Sequence, residues 1–177
     1  MTQNRPQTGD YAVYYTKYIA LVPGGDFLEI LESQLRDTEQ LLSPLTDEQG
    51  DFRYASHKWS IKEILGHLSD AERIFSYRML RIAREDKAPL AGFEQDDYVR
   101  TGKFGARKLS DLLVEFASIR HATIALVRSL DTAAWHRRGV ASQNEVTALA
   151  LAFIIAGHER HHWLILRDRY IPALPRP

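Results

Sequence analysis

The chain has 177 residues, with Lys+Arg and Asp+Glu both numbering 23, and 45% hydrophobic against 26% charged residues. The length suits one hydrophobic core, so a single domain over 1–177 is expected, and the composition excludes disorder, collagen and coiled-coil fibre. Zero net charge provides no field to gather nucleic acid or anionic lipid, and the lack of cysteine excludes disulfides, thiolate ligands and a cysteine nucleophile.

No apolar run reaches the ~18 residues of a membrane span, and Met1 to Asp10 lacks the apolar core of a signal peptide. A cytoplasmic location, no membrane partner and a flexible start over 1–10 are the expectations. Tyr11 to Val22, with Tyr14, Tyr15 and Tyr18, reads as an ordered aromatic arm lying across the rest of the fold. From Gly25 to Leu45 a first helix is predicted, since Leu28, Leu31, Leu35, Leu42 and Leu45 recur at helical steps. Asp26 can cap its first turn, and Pro44 marks its end.

Ser60 and Glu63 have capping-box spacing, so a second helix opens there. Its stripe runs through Ile64, His67, Ala71, Ile74 and Ile82 and stops before Pro89. Pro89 to Arg107, rich in Gly, Asp and aromatics, reads as a long loop and therefore a candidate lid. A third helix is predicted from near Ser110, carrying Leu112, Phe116, Ile119, Leu126 and Leu130. A fourth runs from about Asn144 to Tyr170 with Leu151, Ile155, His158, His162 and Ile165 inward. No alternation is long enough to predict a sheet, so the expected fold is an all-α four-helix bundle.

His158 and His162, four apart, share one helix face about a turn from each other, a spacing that chelates a first-row metal well. Two polar residues on a wetted face would show the same spacing. Among Leu151, Ile155 and Ile165, however, unpartnered imidazoles would each cost roughly 1–3 kcal/mol. His67 sits in the same predicament on the second helix, and three inward histidines from two helices explain one another. His161 competes with His162 for the face shared with His158; only the inward seam favours His162. His57, His121 and His136 receive no role. Glu63 is accounted for by the capping box, Asp70 and Glu72 read as solvated surface or, for one of them, as help for a bound water, and Arg73 and Arg160 read as solvated or as contacts for an anionic substrate.

The string Trp59-Ser60-Ile61-Lys62-Glu63-Ile64-Leu65-Gly66-His67-Leu68-Ser69-Asp70-Ala71-Glu72, followed by Gly157-His158-Glu159-Arg160-His161-His162, resembles the DinB superfamily, and its YfiT branch most closely. The arm Tyr14 to Ile19, the run Val22-Pro23-Gly24-Gly25-Asp26 and the segment Gly92-Phe93-Glu94-Gln95-Asp96 are similar to that branch too. The resemblance implies an up-down-down-up bundle with a divalent metal at one end held by His67, His158 and His162, and a homodimer. It also implies chemistry of the kinds found among relatives: metal-dependent hydrolysis, bacillithiol transfer and mycothiol-dependent isomerisation. Three neutral ligands would leave a zinc or nickel ion its full charge and an open position, able to activate water or a small-molecule thiol. The alternative is a non-catalytic bundle with a structural metal, its fourth ligand coming from His161, a carboxylate or a dimer mate, or a small-molecule-binding module.

Overall fold

The computed structural model describes residues 4–175. Met1, Thr2 and Gln3, part of the stretch expected to be flexible, lie outside the described residues, whereas Pro6 is buried and Arg5 donates to the carbonyls of Ile19 and Val22. The aromatic arm is a 3-10 turn, Val13–Tyr15, running into the short helix α1, Thr16–Ile19. It buries Tyr18, Ile19 and Val22.

Helix α2, Phe27–Leu42, is capped by the Asp26 carboxylate, which accepts from the amides of Leu28 and Glu29. After the single turn α3, Asp47–Gly50, helix α4 covers Ile61–Ala83, and Ser60 and Glu63 form the predicted capping box. The predicted loop after it is partly helical. It carries α5, Gln95–Gly102, and a 3-10 turn, Phe104–Ala106. Only Val99 of α5 is buried, so this element has no apolar stripe from which a periodic reading could recognise it.

Helix α6, Leu109–Arg128, is rotated from its predicted face. Arg120, Thr123, Ile124 and Val127 point inward, while Ile119 and Leu126 are only partly buried. After the turn α7, Thr132–Trp135, the expectation of no strand fails. β1, Arg138–Ala141, pairs antiparallel with β2, Asn144–Thr147, through a two-residue turn in which Ser142 and Gln143 both have positive φ. That is the backbone twist hairpins favour, here without the Asn-Gly signal that normally announces it. Helix α8 accordingly begins at Ala148 rather than Asn144, capped by Thr147, and ends at Ile165 before a π turn, Leu166–Tyr170.

The bundle consists of α2, α4, α6 and α8. α4 packs against α6 and α8, and α2 packs against the same two from the other side. α1 lies on α8, with the Tyr18 backbone so close to Gly157 that any Cβ there would collide with the Tyr18 carbonyl. Two apolar clusters fill the interior. One includes Ala71, Phe75, Ile124, Ile155 and Ala156, and the other Ile64, Leu65, Leu68, Phe116 and Leu166. The inward polar residues lie where these clusters meet: His67 and Glu72 on α4, Arg120 on α6, and His158 and Glu159 on α8.

Candidate metal centre

His67 projects from the second turn of α4, and His158 and His162 project from successive turns of α8. The three rings form a nearly equilateral set, with centroid separations of 4.9 Å, 5.0 Å and 4.7 Å. One ring nitrogen from each lies within 4.8 Å of the others, and the Nε2 atoms of His67 and His158 are 3.1 Å apart. Two imidazoles at that distance can share a proton. The same spacing fits two ligands of one ion, because metal–nitrogen bonds of about 2.0–2.1 Å at a tetrahedral angle put nitrogens ~3.3 Å apart.

The histidines are held in the form that ligates. Burial pushes the pKa of His67 down to about 4, and His67 and His158 are only 3% and 7% exposed. His158 is driven well below the ordinary imidazole value by burial, then by His162, His67, His161 and Lys17. His162, partly exposed, shifts the same way by burial and by His67, His161 and Lys17. All three are neutral at pH 7 with a lone pair available. His161 turns aside. Its ring packs edge-on against Tyr18 at 5.2 Å, and it is not part of the three-nitrogen cluster.

Aromatic rings brace the set. Tyr18 meets His158 edge-on at 5.3 Å, and Trp59 lies 4.7 Å from His67. Cavities reach the histidines from two sides. One, about 250 Å³, is lined by Tyr14, Tyr15, Tyr18, Phe93 and Gln95 and touches His67 and His158. The other, about 280 Å³, touches His162 and is lined by Tyr54, Lys58, Trp59 and Tyr170. Asp96, in the first turn of α5, lines both, so the predicted lid segment does stand beside the site.

The DinB superfamily model matches residues 30–166, most of the chain. This chain belongs to the DinB superfamily. A candidate metal-dependent hydrolase of Geobacillus kaustophilus is 24% identical over 128 residues, 71% of this chain and 72% of that protein. The structure of Bacillus subtilis YfiT, described as a candidate metal-dependent hydrolase with an unusual four-helix bundle topology, superposes with a TM-score of 0.74. It shares 17% identity and covers 94% of this chain and 91% of that one. A mycothiol-dependent maleylpyruvate isomerase follows at a TM-score of 0.64 and 12% identity, over 78% of this chain and 58% of the isomerase. At these identities the two structures establish the fold, and the chain spans less than two thirds of the isomerase.

This DinB bundle also contains a charge network absent from the sequence reading. Glu72, expected on the surface, is 4% exposed and accepts two hydrogen bonds from Arg120, at 2.8 Å and 2.7 Å. Arg120 also pairs with Glu159 at 2.6 Å, and Thr38 donates to Glu159 at 2.8 Å, so all four bundle helices meet there. The signal was present: Arg120 lies four residues after Phe116 and four before Ile124, on the apolar stripe, where a charge requires a partner. Asp70 is paired with Arg73, which also holds Glu115 at 2.6 Å. Arg160 stacks on Trp163, 4.4 Å from its ring centre, and faces Asp37 at 3.9 Å. Both arginines therefore have partners within the protein. Glu63, beyond its cap, bonds Arg53.

Proposed function

We propose that this DinB protein is a metal-dependent enzyme. In this reading His67, His158 and His162 hold one divalent ion, zinc or nickel, and a small-molecule substrate undergoes hydrolysis or transfer involving a low-molecular-weight thiol. The observation that carries the reading is the convergence of three neutral imidazoles from two helices, their nitrogens within 4.8 Å, at a point reached by cavities from two sides. A bound divalent ion would supply Lewis acidity and lower the pKa of a water or thiol in contact with it.

The chain's own residues prepare that chemistry. α8 fixes the backbones of His158 and His162 one turn apart, so little ordering entropy is lost on ligation. Burial keeps His67 neutral at pH 7, so a metal need not displace a proton from it. The rings of Tyr18 and Trp59 pack against His158 and His67, restricting the rotation of the imidazoles. The α5 segment brings Asp96, Glu94 and Gln95 to the cavity edge, where closure would enclose a substrate.

Three protein ligands favour catalysis over a purely structural metal, which normally has four; among the described residues no fourth side chain joins the cluster. A homodimer and a cytoplasmic setting belong to the same reading. The test is metal analysis by mass spectrometry on protein purified without chelator or nickel affinity, beside His67→Ala, His158→Ala and His162→Ala. About one ion per chain, lost in each variant, is expected. Wild-type protein that stays metal-free after reconstitution would remove the metal reading.

A further inference from the structure

The cavity beside His162 differs in chemistry from the one beside His67 and His158. Its walls are mostly apolar and aromatic: Tyr54, Trp59, Tyr170, Ile64 and Ile165. These walls are fixed. Tyr170 is 1% exposed and donates its hydroxyl to the Trp59 carbonyl at 2.6 Å, while Tyr54 stands edge-on to Tyr170 at 4.8 Å. At about 280 Å³ the space lies at the lower end of small-molecule sites, so it suits a ligand of about one ring.

The charges around it are uneven. Lys58 lines the cavity with His57 beside it, and the Lys58 side chain makes no ion pair with any described carboxylate. Arg169, also without an ion pair among the described residues, lies over the outer ring Tyr54, 5.9 Å from its centre. The neighbouring cation Arg53, by contrast, is neutralised by Glu63. The lining contains a single carboxylate, Asp96, on the side shared with the second cavity. Asp96 makes no ion pair with a described side chain either, so the slot offers one cation, Lys58, with Arg169 over Tyr54 beside it, and one anion, and the side on which a ligand's charge lies decides which it meets.

We propose that this cavity binds a small aromatic anion of arylcarboxylate type, its ring between Trp59, Tyr54 and Tyr170 and its charge met by Lys58. As a binding site it stands without the metal; as a substrate site it rests on the metal-centre reading, because the slot ends at His162. The aromatic walls supply affinity through apolar burial and ring contact, and the cation supplies selection against neutral and positive analogues.

The test uses 4-fluorobenzoate and 4-fluorobenzyl alcohol as probes, with dissociation constants from fluorine NMR titration of the metal-loaded protein and of protein treated with chelator. Lys58→Met keeps the aliphatic stem and removes the charge; Ile165→Trp fills the slot. Circular dichroism and metal content check that both variants fold. One saturable site is expected, with 4-fluorobenzoate bound roughly 10-fold more tightly than the alcohol, as one charge-assisted contact of ~1.4 kcal/mol provides. That preference should vanish in Lys58→Met, binding of both probes should weaken in Ile165→Trp, and both effects should persist after chelation. Equal binding of acid and alcohol, or no saturable binding, overturns the proposal. So does binding that chelation abolishes while Lys58→Met leaves it unchanged, because the carboxylate would then be on the metal. Should Ile165→Trp fail to fold, Lys58→Met still decides. Wild-type protein that binds the probe but no metal would keep the cavity assignment and remove the metal-centre reading.

Discussion

A buried imidazole next to two others costs most when it is charged, and this sets how the site responds to pH. His67 has a folded pKa of about 4, below its ordinary 6.5 because of burial. As pH falls, the unfolded chain takes up the proton first, so the stabilisation is complete above about pH 6.5 and is lost on descent toward 4. For His67 alone the loss is about 3 kcal/mol at pH 4; His158 and His162 shift in the same direction. Urea unfolding of metal-free protein should therefore show a flat unfolding free energy between pH 8 and 7 and a steep fall below 6.5, shallower in His67→Gln. A wild-type profile parallel to that of His67→Gln from pH 7 to 4.5 would contradict the burial of a neutral His67.

At the scale of elements, the arm and α8 form one unit through Gly157. α1 crosses α8 where the helix has no side chain, and that contact seats Tyr18 against both His158 and His161. In Gly157→Ala the new methyl group meets backbone rather than the end of a flexible side chain, so the arm must move. The expected cost is ~1–3 kcal/mol, as for other overpacked cores. Thermal melting would report this cost, together with faster proteolysis within 11–22 and weaker metal retention. Unchanged melting and cleavage would mean that the arm accommodates the methyl in place.

At the scale of the whole molecule, a polar layer lies where two apolar clusters meet, and its charges Glu72, Arg120 and Glu159 come from three different helices. Arg120 is 0% exposed between Glu72 and Glu159. Removing it alone leaves two buried carboxylates without their counter-ion, so Arg120→Met is expected to lower stability by ~3–5 kcal/mol. Replacing all three charges together, by Glu72→Met, Arg120→Met and Glu159→Leu, should recover much of that loss. Denaturant titration of the single and triple variants measures the difference. A single variant within about 1 kcal/mol of wild type would show that the network carries little stability.

The sequence by itself determined the four main helices, the caps at Asp26 and Ser60, and the inward His67 and His158, with His162 favoured over His161 by the seam alone. Each is written locally, in helical spacing or in residues three or four apart. Elements without such periodicity escaped it: α5 buries only Val99, and the 138–147 hairpin is too short to alternate and turns through Ser142 and Gln143. Partners far apart in the chain escaped it as well. Glu72 looked solvated until α6 and α8 brought Arg120 and, behind it, Glu159 and Thr38. His161 competed with His162, which only the inward seam favoured, until the bundle pointed one at Tyr18 and the other at His67. Local spacing fixes which face a side chain shares; only packing decides what that face meets.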